Sequence, residues 1–124
     1  MLHMATRFFC PDCWIEIAVG TKTCPHCGYV IAEYESLSYE KKLIRALRHP
    51  VRENRMMAIH VLGELRSRAA LPMFASILKV EEDFYVTREI ILALENIGGA
   101  ESKKILRRLK THKSKLIRSA AKRL

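Results

Sequence analysis

"NRMMAIHVLGELRSRAALPMFASIL" (residues 54–78) is followed by "VTREIILALENIGGAESKKILRRL" (86–109), and one register relates the two. A shift of 32 residues carries Ala58, Val61, Leu62 and Leu65 onto Ile90, Ala93, Leu94 and Ile97. The same shift carries Met73, Phe74 and Ile77 onto Ile105, Leu106 and Leu109. A shift of 30 then lays "VTREIILAL" (86–94) on "LIRSAAKRL" (116–124). Within each segment the apolar residues recur with the period of a helix. A fixed repeat of this size, with two helices per unit, is the signature of an α-solenoid. An ordinary helix bundle has no reason to preserve the register.

Working outward, the helical period starts at Tyr39. Leu43, Ile44 and Leu47 form a first stripe, ended by His49-Pro50. Gly98-Gly99 closes the helix that carries Val86 to Ile97, and Ile117, Ala120, Ala121 and Leu124 form the last stripe. The spacing predicts six amphipathic helices over residues 39–124, joined by short turns. The two quoted stretches resemble the short HEAT-like repeats first associated with phycobilisome lyases. The "A-L-x-x-I-G" of Ala93–Gly98 and the "A-L-P" of Ala70–Pro72 are the nearest points. The resemblance implies architecture and a surface for partners. It implies no lyase activity here, because no pigment-site residues can be matched.

All four cysteines lie upstream, in "CPDCWIEIAVGTKTCPHCG" (10–28). A Cys-x2-Cys loop turns two sulfurs toward one point, and two such loops supply four soft thiolates at tetrahedral corners. That donor set suits zinc in a closed structural site, with iron in a rubredoxin-like site as the nearest rival. Pro11 and Pro25 stiffen the loops, Gly28 permits a positive-φ turn, and Trp14 stands where the first loop might have used glycine. "WIEIAV" is expected to form a strand and "GTKT" to turn back. These residues resemble a small bacterial or archaeal zinc ribbon. The resemblance implies one structural Zn2+ held by Cys10, Cys13, Cys24 and Cys27, and no catalytic role. His26, inside the second loop, is expected to face solvent. A redox dithiol would need a thioredoxin-like strand-to-helix setting, and two disulfides would need an export signal that the N-terminus lacks.

The expected organisation is therefore mainly α: a small β zinc ribbon (1–32), a linker (33–38) and a short α-solenoid of HEAT-like helix pairs (39–124). With 49% hydrophobic and 28% charged residues the chain is globular rather than disordered. Its longest aliphatic run in the second half, "IILAL", is far short of a membrane span of about 20 residues. A cytoplasmic protein without membrane contact is expected. The formal charge of +9 resides entirely in residues 101–124. Ser114 can cap the last helix, while Lys113 and Lys115 add to the positive end of its dipole. Together with Lys103, Lys104, Arg107, Arg108 and Arg118 they make a candidate site for phosphate groups, whether of nucleic acid or of an acidic partner. Asp83, in the cluster Glu81-Glu82-Asp83, is expected to head a helix. His60 is expected to be a packed or surface histidine rather than a ligand, and Arg66 and Arg68 to lie in a solvated turn. There is no phosphate loop and no nucleophile with an evident base. The reading is a non-enzymatic adaptor that binds a protein partner, with a nucleic-acid-binding module as the alternative. The last helix lacks its pair, so it should pack back on residues 101–111 or join a second copy in a homodimer.

Overall fold

A computed structural model describes residues 7–122. The chain is a short helical solenoid preceded by a small β region. In chain order the elements are β1 (Phe8–Phe9), β2 (Glu16–Ile17), α1 (Ile31–Glu35), α2 (Tyr39–Ala46), α3 (Arg52–Glu64), α4 (Leu71–Val80), α5 (Phe84–Ile97), α6 (Gly99–Leu109) and α7 (Lys115–Lys122). A 3-10 turn, Arg68–Ala70, leads into α4. Leu124, expected in the last apolar stripe, lies outside the described residues. No helix among the described residues is long and apolar enough to cross a membrane.

The helices form two layers. α3, α5 and α7 pack side by side, and α3 with α5 makes the largest helix–helix interface. α4 and α6 lie in the second layer, beside one another. Close approach in the first layer is possible because Gly63 faces Ala93: a Cβ on Gly63 would stand 2.8 Å from the Ala93 Cα. One continuous core runs through the array, with Ile59, Leu62, Leu71, Phe74, Ile90 and Leu94 fully enclosed.

Helix ends follow local chemistry. The Ser38 side chain accepts the Lys41 N–H at α2, and Asp83 accepts the Tyr85 and Val86 N–H groups at α5. Arg52 holds Asp83 from the neighbouring repeat through Nε at 2.6 Å. Gly98 and Gly99 take φ of +66° and +88°, which ends α5 and starts α6 without a linker. Arg66, at φ +54°, closes α3, and Arg68 lies over Gly99.

Three expectations change. The face of α4 that reaches the core is Leu71, Phe74 and Leu78, while Met73 and Ile77 are only half-buried. That helix is apolar nearly all round, so its period could not choose a face. Leu65 sits at the C-cap of α3 and is exposed, while Ile59 is buried in its place. Residues 31–35, expected to lie outside the helices, form α1, whose Ile31 packs with the cysteine unit.

The last helix turns Ile117, Ala120 and Ala121 inward against α5 and α6. Leu116 stays on the outside, 63% exposed.

Candidate functional site

The cysteine unit is an internal duplicate. Cys10 N–H bonds to the Ile15 carbonyl and Trp14 N–H to the Cys10 carbonyl. Fourteen residues on, Cys24 N–H bonds to the Tyr29 carbonyl and Gly28 N–H to the Cys24 carbonyl, at the same distances to within 0.1 Å. The strand pairs repeat too: Phe9 faces Glu16, and Thr23 faces Val30. The expected hairpin through "GTKT" is therefore replaced by two small hairpins, one around each Cys-x2-Cys loop. The reason is that each loop must close on itself to aim its sulfurs. Trp14, at φ +62°, occupies the place that Gly28 fills at +81°. A side chain there is strained, and the tryptophan ring is held against His49 with centroids 5.1 Å apart.

The four Sγ atoms lie within 4.8 Å of one another. Cys10 to Cys27 is 3.6 Å and Cys13 to Cys24 is 3.8 Å. A tetrahedral ion with metal–sulfur bonds of about 2.3 Å requires sulfurs about 3.8 Å apart, whereas a disulfide requires about 2 Å. The donor set thus fits a soft tetrahedral cation. Backbone N–H groups point at the inner sulfurs: Asp12 at Cys10, and His26 and Cys27 at Cys24. Burial opposes charge on Cys24, but the Cys27 and His26 N–H groups and the adjacent thiols hold it down at about 6. For Cys27 the Tyr29 N–H favours the thiolate, yet burial and the neighbouring sulfurs push the thiol up to about 12. Four thiolates at this spacing repel, and a divalent cation is what lets all of them ionise. His26 is exposed, as expected.

The cysteine unit is docked on the helices. Arg45 of α2 donates to the Pro11 carbonyl at 3.2 Å, reaches Asp12 at 3.6 Å and covers the Tyr29 ring. His49 packs between Phe9 and Trp14, and its Nδ1 accepts the Val51 N–H at 3.0 Å. Neither residue was evident as an anchor in the sequence. His49-Pro50 read only as a helix stop.

The basic candidates separate into groups. Lys104, Arg108 and Lys113 line one groove between α4 and α6, joined by Lys79. Lys103, Arg107 and Lys115 are exposed but do not line it. Arg118 reaches back through Nη1 to the carbonyls of His112 and Lys113, at 2.7 and 3.0 Å. Arg55 makes the same contacts to His49 and Pro50 two repeats earlier. In both repeats a histidine Nδ1 accepts the N–H two residues on, at Val51 and Ser114. In the middle repeat Glu81 accepts from Asp83 instead, and Thr87 stands where the arginine would be, its buried hydroxyl unpartnered. The last two repeats are related by a shift of 31 and not the expected 30, since the caps Asp83 and Ser114 and the buried Val86 and Ile117 coincide only there. Arg118 is thus a turn-closing side chain.

His60 is exposed and lies between Glu64 and Glu89, at 3.3 and 3.2 Å. Compared with known families, residues 40–124 match HEAT repeats. The chain belongs to the HEAT-repeat family. No curated protein and no solved structure matches it. The match covers the two helix layers, and the cysteine unit lies outside it.

Proposed function

We propose that this HEAT-repeat protein is a non-enzymatic adaptor of the cytoplasm, in which a four-cysteine zinc ribbon extends a helical surface for a protein partner. The observation that carries the reading is the clamp of Arg45 on Pro11 and Asp12. It joins the cysteine unit to α2, which is what a surface shared by the two requires. Solenoids recognise partners through such aligned helices. One Zn2+ held by Cys10, Cys13, Cys24 and Cys27 would be structural, because every donor is a protein thiolate and no position is left for substrate.

The second reading, a nucleic-acid-binding module, draws on Lys103, Lys104, Arg107, Arg108, Lys113 and Lys115. In favour of it, none of these six is ion-paired among the described residues. A homodimer through α7 draws on the exposed Leu116.

Two measurements test the proposal. Native mass spectrometry should give one zinc per chain, and one iron would replace the metal assignment. Photo-crosslinking from exposed positions on both helix layers and on the cysteine unit, in host extract, should trap a protein partner that persists as salt rises. Retention of nucleic acid alone, lost steeply with salt, would establish the second reading instead.

A further inference from the structure

The groove between α4 and α6 has a floor and a rim of different chemistry. Ala75, Leu78, Ile105 and Leu109 make the floor. Ala75 has the smallest side chain of the four and is half-buried. Two cavities of ≈ 430 Å³ and ≈ 410 Å³ share Ala75, Ile105 and Arg108 and so run together along the helices. Lys79 rises from α4, Lys104 and Arg108 from α6, and Lys113 from the turn beyond. Glu101 is the one carboxylate among the lining residues. Among the described residues none of the four cations is within ion-pair distance of an acid.

We propose that this groove holds an acidic amphipathic helix of the partner protein, an inference that rests on the adaptor reading and names the chemistry of its partner. An apolar channel flanked by two helices accepts the apolar stripe of a third, anchored at i, i+3, i+4 and i+7. The ten residues of α4 and eleven of α6 give it a length of about 15 Å, room for about three helical turns. Carboxylates beside the stripe then meet Lys79 on one side and Lys104 and Arg108 on the other, which sets the orientation of the incoming helix. A phosphate backbone would satisfy the rim but place no apolar side chain in the cavities, so nucleic acid fits the groove less well.

The test uses the intact zinc-loaded protein and a fluorescein-labelled synthetic peptide of about four turns, with leucines at i, i+3, i+4 and i+7 and glutamates beside them. Three control probes are the same peptide with Leu→Ala, the same with Glu→Lys, and DNA of matching charge. At physiological salt the acidic leucine peptide should bind saturably, and each control at least about tenfold more weakly. Lys104→Gln with Arg108→Gln should weaken it by about tenfold or more, and Ala75→Glu, which enlarges that side chain and adds a negative charge, should abolish it. Far-UV circular dichroism verifies that both variants stay folded. No binding of the leucine peptide, equal binding by the alanine peptide, equal or tighter binding of DNA, or unchanged affinity in both variants would each overturn the proposal. A photo-crosslinking residue at Lys79 separates this failure from failure of the adaptor reading. A partner trapped from Tyr85 or the cysteine unit but never from position 79 overturns the groove alone. A partner trapped from no position overturns both.

Discussion

Gly63→Ala sets two effects of opposite sign against each other. Gly63 sits inside α3, where alanine is favoured by about 1 kcal/mol on helix propensity alone. Against this, the new Cβ would lie 2.8 Å from the Ala93 Cα and 2.9 Å from the Ala93 Cβ. Ordinary carbon–carbon contact is about 3.5–4.0 Å, so α3 and α5 must part by roughly 1 Å at their crossing. The opposing atoms are backbone and Cβ, which no rotamer change can move. Overpacking of this kind costs about 1–3 kcal/mol, and the rigidity of the site puts it toward the upper figure. The net expectation is a loss of about 1–2 kcal/mol. For a helical unit of this size each kcal/mol lowers Tm by about 4–8 °C. Thermal unfolding followed by circular dichroism at 222 nm measures it. Adding Ala93→Gly should restore only part of the loss, because the contact with the Ala93 Cα remains. A Gly63→Ala protein as stable as the parent, or more stable, would refute the close-packing argument and leave propensity in control.

Asp83→Ala removes the cap of α5 together with the partner of Arg52, and should cost about 1–2 kcal/mol in denaturant unfolding. The Arg52 hydrogen bond holds the Asp83 carboxyl at about 2, helped by the Tyr85 and Val86 N–H groups and opposed by burial. Its contribution is therefore complete above the unfolded value of about 3.9 and disappears as pH falls through about 2. The parent and Asp83→Ala should converge in stability across that window, and a constant difference would count against the pairing. Burial, and then the Arg55 charge, lower the His49 pKa. The neutral ring thus stabilises the docked cysteine unit above about pH 6.5, and this is lost as pH falls through the lower folded value. Fluorescence of Trp14, the one tryptophan, should report a midpoint below about 6.5; a midpoint at or above it would contradict the packing. Cys24→Ser, or chelation of the parent, should release the metal and shift the Trp14 emission while helical ellipticity changes little. Collapse of the helices at the same step would show that the HEAT repeats depend on the cysteine unit.

The repeat and the cysteine spacing were legible because both are local patterns. A helical stripe needs only side chains three and four residues apart, and Ile90, Ala93, Leu94 and Ile97 are buried as their spacing indicates. Cys-x2-Cys closes over a single turn, so the chain needs no distant partner to bring two sulfurs together. The Asp83 cap is local for the same reason. What the tertiary structure alone decided depends on atoms far apart in the chain. The short strands carry no alternation long enough to choose a partner, so the pairing of Phe9 with Glu16 emerges only when each loop closes. The seven basic candidates near the C-terminus look alike as sequence, yet helix rotation sends Lys104 and Arg108 into a groove and Lys103 and Arg107 away from it. Arg118 spends its charge on two carbonyls of its own turn. Lys79, from a different repeat, joins the groove because stacking places α4 against α6. Sequence patterns specify which faces are apolar; only packing specifies which charges become neighbours, since Coulomb energy depends on distance in space and not along the chain.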